Sequence, residues 1–319
     1  MSTDRLRIGI SACLVGHEVR YNGGHLSDGF INGALAPYVD WVTVCPEVEV
    51  GMGVPREEVR LVANPAAPRM VGSRSKTDHT DAMLRWSEER AQALAGENLD
   101  GFLLTANSPS CGLLRVRLYP SAGGTPSRSG VGLFARALTG AAPDLPVEEN
   151  GRLRDPRLRE NFVEHIFVRR RWRELMATNP TPRGLVGFHS THKFTFLAHN
   201  PKLYREMGRI VADAGRQPWG LLSQHYVELM TTALKSMATP RKHTNVLHHV
   251  MGFLKGYLDE DDKRELLGTI ESYRHELVPL IVPITLLSHH LRHHGADDWV
   301  RQQTYLNPYP GELMLRNHV

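Results

Sequence analysis

Gly101-Phe102-Leu103-Leu104-Thr105-Ala106-Asn107-Ser108-Pro109-Ser110-Cys111-Gly112 changes character in its middle. The first four residues are an apolar run that predicts a buried strand, and the next eight are small or polar and predict a loop. Cys111 therefore stands just past a strand end. The other two cysteines stand in matching places. Cys13 follows Leu6-Arg7-Ile8-Gly9-Ile10-Ser11-Ala12, and Cys45 follows Trp41-Val42-Thr43-Val44. If the three runs are parallel strands of one sheet, all three thiols emerge at its carboxyl edge, where open α/β sheets bind ligands.

With 319 residues the chain can hold two domains, each with its own core. It has the apolar content of a globular protein, no repeat and no biased tract. The amino terminus lacks a basic segment followed by an apolar core and a cleavage site. The longest uncharged stretch, Leu277–Leu291, has 15 residues and two prolines, short of the ~20 that a spanning helix needs. These features point to a soluble, cytoplasmic protein with no membrane partner. Charge is uneven: residues 1–160 hold 18 Lys and Arg against 19 Asp and Glu, whereas residues 161–319 hold 20 against 15 and 14 of the 17 histidines. A basic, histidine-rich second half fits a polyanionic partner, although an excess of this size also occurs by ordinary scatter.

In the first half, Arg20-Tyr21-Asn22-Gly23-Gly24 offers a close backbone approach and a guanidinium to an anion. A helix is expected from Asp28 to about Tyr38. Pro46 is expected to keep Cys45 extended and to delay any helix, so that Cys45 and Glu47 project from a shaped loop. Residues 69–80 read as a polar loop, with Thr77 or Asp78 capping a helix that runs to about Gly96. Ser127-Arg128-Ser129-Gly130-Val131-Gly132 reads as a Gly/Ser loop opening a helix from Leu133 to Leu138, whose amino terminus is a natural anion seat. No Walker lysine follows it. Strands alternating with helices predict a Rossmann-like three-layer α/β domain.

Three thiols can be core residues, although their Ser, Pro, Glu and Gly neighbours are not core formers. An odd count argues against a disulfide framework, and the lack of Cys-x-x-Cys argues against structural zinc. A 4Fe–4S cluster held by three thiolates, with one iron open, is a further reading.

Ser11-Ala12-Cys13-Leu14-Val15-Gly16, the Arg20–Gly24 segment, Cys45-Pro46-Glu47 and Ser108-Pro109-Ser110-Cys111-Gly112 together resemble the thiouracil desulfidase family. The similarity runs through residues 5–165, including the tail from Leu153 to Phe162. The resemblance implies that Cys13, Cys45 and Cys111 hold a 4Fe–4S cluster whose open iron takes a thiocarbonyl sulfur. It also implies catalytic roles for Glu47, as general base, and for Ser108, as hydrogen-bond donor or proton relay. Glu49 reads as a solvated loop charge.

The expected division is 1–150 for this domain, 151–183 for a linking helix and boundary loop, and 184–319 for a second, all-α domain. The linking helix, from Arg152 to about Met176, ends in Arg169-Arg170-Arg171-Trp172-Arg173. Pro201, Pro218, Thr239-Pro240 and Asp259–Asp262 mark helix starts, and about six helices are expected. Phe188–Lys193, Leu197-Ala198-His199, Tyr204-Arg205 and Asn307–Leu313 resemble the YbgA-type domain. The combination resembles the tRNA 4-thiouridine desulfidases, which implies tRNA as partner and redox-neutral conversion of 4-thiouridine to uridine with release of sulfide. Lys193, Lys202, Arg205, Arg209, Arg241 and Lys242 are the candidate phosphate contacts. His289-His290-Leu291-Arg292-His293-His294 has the i, i+4 spacing of a metal-binding helix, but reads first as a basic helix face. The alternatives are desulfuration of free thiouracil or thionucleotides, sulfur insertion, and a non-enzymatic RNA-binding iron–sulfur sensor.

Overall fold

The computed structural model describes residues 5–63, 65–121 and 123–319. The chain divides between Arg154 and Asp155 into two compact units, Met1–Arg154 and Asp155–Val319.

In the first unit, strands β1 (Leu6–Ser11), β2 (Val39–Val44), β5 (Gly101–Leu104) and β8 (Val147–Glu149) form a parallel sheet in the order β2-β1-β5-β8. β1 pairs with β2 through Ile8↔Trp41 and with β5 through Gly9↔Phe102. The three cysteine-bearing runs are thus neighbouring parallel strands. Helices α2 (Thr80–Gly96) and α3 (Leu133–Ala141) pack on this sheet through a core that includes Val44, Leu94, Phe102, Leu104, Phe134 and Leu138. Fully burying such side chains stabilises the layer by roughly 2 kcal/mol each.

A second, mixed sheet stands beside the Rossmann-like expectation. β3 (Val59–Val62), β4 (Arg69–Gly72), β6 (Val116–Tyr119) and β7 (Ser127–Gly130) pair in the order β4-β3-β6-β7. Part of the 69–80 segment and the Gly/Ser loop are therefore strands. They escape a sequence reading because each has four residues and β7 is largely exposed, so pairing rather than periodicity makes them strands. The helix expected from Asp28 is a π-helical turn, Phe30–Leu35, followed by a 3₁₀ turn, Ala36–Tyr38. The N-cap of α2 is His79, which makes no side-chain cap bond, rather than Thr77 or Asp78; Asp78, one residue earlier, accepts the Thr80 amide at 2.9 Å.

In the second unit, helix α4 (Pro156–Thr178) is not a linker. Its Val168 and Trp172 belong to a core with Leu185, Phe188, Tyr226 and Met230. Eight further helices follow: α5 (Pro182–Thr191), α6 (Lys193–His199), α7 (Pro201–Ala212), α8 (Trp219–Leu234), α9 (Pro240–Met251), α10 (Glu260–Arg274), α11 (Ile281–His293) and α12 (Asp298–Arg301). No strand occurs among the described residues of this unit. The unit is all-α, with the expected starts at Pro201 and Pro240 and with more helices than expected, since the chain also breaks at His192 between α5 and α6 and adds the one-turn α12.

Charged groups fill part of its interior. Glu164 accepts His199 Nε2 at 2.9 Å, Arg316 Nε meets Glu160 at 3.2 Å, and the Tyr309 hydroxyl donates to Glu160 at 3.0 Å. The neighbouring His199 and Arg316 hold the Glu164 carboxyl down to about 2 against its burial, and Glu164 raises His199. Burial pushes four other histidines down: His165, His192 and His243 to about 3, and His189 to about 4. These four are neutral in the folded chain and charge on unfolding below ~6.5, so their contribution to stability is full above that pH and is lost as pH falls towards 4. His199, raised, contributes with the opposite sign, present below ~6.5 and lost as pH rises, but it is one group against four. Unfolding at pH 5.5 is expected to take up about three protons, and the urea midpoint of the helical signal to fall steadily from pH 7 to pH 5. A midpoint flat across that range would contradict the buried neutral state of these rings.

Candidate active site

Three strand ends build the site. β1 ends at Ser11 and turns through a short 3₁₀ segment, Ala12–Val15, that carries Cys13. β2 ends at Val44, and Cys45 is the N-cap of a one-turn helix, α1 (Pro46–Glu49). Pro46 occupies the first helical position, so it starts the helix rather than delaying it. Its missing N–H would have had no partner there. Glu47 therefore projects from a helical turn and not from a loop. Glu49 is not a solvated loop charge: one carboxylate oxygen accepts the Cys45 amide at 2.9 Å, so it closes α1.

β5 runs into Thr105, whose hydroxyl lies 3.1 Å from Cys13 Sγ and whose amide donates to Ser11 Oγ at 3.1 Å. Thr105 and Cys13 thus face each other across adjacent strands. Asn107, at φ 62°, reverses the chain into Ser108–Cys111. This loop is clamped by α3. The Leu133 and Ala135 amides donate to the carbonyls of Pro109 and Ser110 at 3.2 and 3.1 Å, and the Gly132 amide donates to Gly112 O at 2.7 Å. The amino end of α3 is therefore committed to the cysteine loop and is not an anion seat. A Cβ on Gly132 would come within 2.4 Å of Ser110 O, and one on Gly112 within 2.7 Å of Ser108 O, so both positions need glycine for this close approach.

Cys13, Cys45, Cys111, Glu47 and Ser108 line one cavity of about 320 Å³. Cys13 and Cys45 are half-buried and Cys111 is buried. Burial raises all three thiols, and for Cys111 the charge of Glu47 and the other two thiols add to it. A pocket that disfavours free thiolates but gathers three sulfurs suits a soft metal centre, whose binding expels the protons. The donor set fits an iron–sulfur cluster.

A hydrogen-bonded chain ends at Glu47. Ser110 Oγ donates to Glu47 Oε1 at 2.6 Å and lies 3.0 Å from Ser108 Oγ. Because the Ser110 proton is committed to the carboxylate, the Ser108 hydroxyl is the donor between the two serines. Ser108 Oγ also accepts the Cys111 amide at 3.1 Å. The other carboxylate oxygen, Oε2, takes Arg56 Nε at 3.0 Å. Ser110 and Arg56 are not among the candidate residues that the sequence marks. Ser110 sits inside the quoted loop, while nothing local marks Arg56. The second sheet supplies Arg60, Arg117 and Tyr119 to the cavity wall, and Arg20 and Tyr21 add to it.

The six candidate phosphate contacts separate. Lys202, Arg205 and Arg209 are exposed along α7, and Arg241 is exposed at the start of α9. Lys193 lies over the Trp299 ring at 5.1 Å and the Phe194 ring at 5.4 Å, so it is held in aromatic contacts. Lys242 is not a free phosphate contact: its ammonium donates to His199 O and Met237 O, both at 2.7 Å, and serves the fold. In the 169–173 run, Trp172 is buried and stacks on Tyr226, and Arg171 is largely buried.

A family model described as 2-thiouracil desulfurase matches residues 8–150, and one described as a protein of unknown function, DUF1722, matches residues 193–310. The chain is 31% identical over 164 residues to the uncharacterized protein YbgA of Escherichia coli strain K12, covering 50% of this chain and 95% of the relative. It is 30% identical over 108 residues to the uncharacterized protein YbbK of Bacillus subtilis strain 168, covering 32% and 71%. Among solved structures, the 4Fe–4S-dependent thiouracil desulfidase TudS is 26% identical over 47% of this chain and 95% of that one, with a TM-score of 0.38.

The Glu47 and Arg56 side chains are 13% and 7% exposed. Replacing Arg56 by Met leaves a buried carboxylate without its partner and is expected to destabilise the first unit by about 3 kcal/mol. Urea unfolding of wild type against Arg56→Met measures it, and equal midpoints would show that the pair is not buried in solution.

Proposed function

Since the chain belongs to the 2-thiouracil desulfurase family and continues into a YbgA-type domain, we propose that it converts 4-thiouridine in tRNA to uridine and releases sulfide. The observation that carries this reading is the convergence of three thiols with the Glu47–Ser110–Ser108 chain on one cavity. Cys13, Cys45 and Cys111 would hold a 4Fe–4S cluster, which supplies a soft, open iron site for a thiocarbonyl sulfur.

The protein's own groups handle water and protons. Glu47 takes a proton from the water that attacks the thiocarbonyl carbon, with Arg56 and Ser110 fixing its two oxygens. Once Glu47 is protonated, the hydroxyl chain reverses: Glu47 donates to Ser110, Ser110 to Ser108, and Ser108 to the departing sulfur. As the C–S bond breaks, Glu47, now free, takes the remaining proton from the added oxygen and passes it to solvent, so water supplies the new carbonyl oxygen, the sulfur leaves as hydrosulfide, and no oxidation state changes. Arg20 and Arg117 at the cavity wall match a nucleotide's phosphates. Exposed Lys202, Arg205 and Arg209, three and four residues apart on α7, favour a polynucleotide over free thiouracil.

Anaerobic reconstitution should yield about four iron and four sulfide per chain, and Ser at any of the three cysteines should abolish turnover. Full activity without iron would end this reading. Ser110→Ala should keep the cluster spectrum while lowering turnover ~100-fold, as loss of a proton relay does. Unchanged turnover would leave Glu47 to act without the serines.

Charge reversal at Lys202, Arg205 and Arg209 together should weaken activity on 4-thiouridine tRNA and flatten its salt dependence by roughly three phosphate contacts. Activity on 4-thiouridine monophosphate should hardly change. Equal losses on both substrates would remove the support for tRNA and favour the free thionucleotide.

A further inference from the structure

We propose that the second unit carries a binding site for a divalent transition metal of the zinc type, formed by His290 and His294 of α11 with Asp262 of α10. One ring nitrogen of each histidine and a carboxylate oxygen of Asp262 all lie within 4.8 Å of one another. The site is independent of the cysteine cavity and of the desulfuration reading.

The histidine run 289–294 divides on its helix. His289 and His293 are exposed, and their rings stack 5.8 Å apart on the outer side. His290 is 5% exposed and His294 is half-buried, and these two also stack at 5.8 Å with planes 7° apart. The i, i+4 spacing places each pair on one face, and only the inner pair meets Asp262. Nε2 of both His290 and His294 is buried and has no protein hydrogen-bond partner. Buried ring nitrogens are seldom left unpaired. An ion pair with Asp262 through Nε2 would give that atom the partner it lacks. A metal ion bonds to the lone pairs instead.

The geometry is close to what such an ion needs. Tetrahedral bonds of 2.0–2.1 Å set ligand atoms ~3.4 Å apart, so small side-chain rotations close the three donors on one ion. Asp262 is positioned by the α10 cap, its own amide donating to Asp259 Oδ1 at 2.8 Å. His294 is the C-cap of α11, and the partial negative charge of that helix end favours a cation. Glu260 and Asp261, in the first turn of α10, add negative charge, while Arg292 and His293 on α11 oppose it. Two imidazoles and one carboxylate select zinc, nickel, cobalt or copper over magnesium or calcium. Three protein donors leave a fourth position to water or to a further ligand. The bound ion joins the start of α10 to the end of α11.

The test is zinc titration of the full chain, comparing wild type with Asp262→Asn and His294→Ala. All three proteins keep the same cysteines, so zinc on the thiols contributes equally to each. Wild type should bind about one more zinc ion per chain than His294→Ala. Asp262→Asn should bind that ion at least ~10-fold more weakly. Zinc should slow amide exchange at residues 259–265 and 288–295 in wild type alone. Circular dichroism confirms that the variants are folded, and Asp262→Asn, which preserves shape, decides the matter if His294→Ala does not fold. An undiminished zinc count and affinity in either folded variant overturns the site.

Discussion

The amides that open α3 have no partners within their own helix, and they bind the carbonyl oxygens of the loop carrying Cys111. That loop also carries Ser108 and Ser110, so the clamp fixes a thiol and both hydroxyls together. It works only because Gly112 and Gly132 permit backbone to lie against backbone. The sheet then supplies the other two thiols at the same edge, since strands that run parallel end on one side. Cys13 and Thr105, which touch across β1 and β5, mark the place where strand order turns outwards in both directions. Open α/β sheets leave a crevice there.

Around this crevice the second sheet has a separate task. β3 and β6 carry Arg60, Arg117 and Tyr119 into the cavity wall, and the segment before β3 carries Arg56 to Glu47. The carboxylate is held from two directions, by a guanidinium and by a serine hydroxyl, which fixes its orientation without filling the cavity. One buried and two half-buried thiols beside a buried ion pair are costly to maintain. Active sites commonly carry such strain on a scaffold stable enough to bear it.

The second unit places its signature residues inside. In segments that mark the YbgA-type resemblance, buried His199 bonds to Glu164 and half-buried Tyr309 to Glu160, which also meets Arg316, while buried His192 has its Nδ1 on Phe188 O. Their hydrogen bonds specify how α4, α6 and the carboxyl-terminal segment pack. Lys202, Arg205 and Arg209 of α7 and Arg241 of α9 are instead exposed. A motif in this unit therefore reports the fold first.

Sequence by itself determined the strand–cysteine register, because a strand end beside a small polar loop is a local feature that composition displays. It also determined the α/β and all-α halves and the helix starts at Pro201, Pro240 and Asp259. Where it went wrong, the deciding forces were not local. The strands of the second sheet are too short for a period and exist through pairing. The α3 amides look free until the loop folds back onto them. Pro46 looks like a helix breaker until β2 ends beside it and makes it the first helical residue. Lys242 looks like a surface cation until two carbonyls reach it. Arg56 and Ser110 become partners of Glu47 only when chain separations of 9 and 63 residues collapse to hydrogen-bond distance. That collapse belongs to tertiary structure, since it depends on which backbone groups remain unpaired after each element has formed.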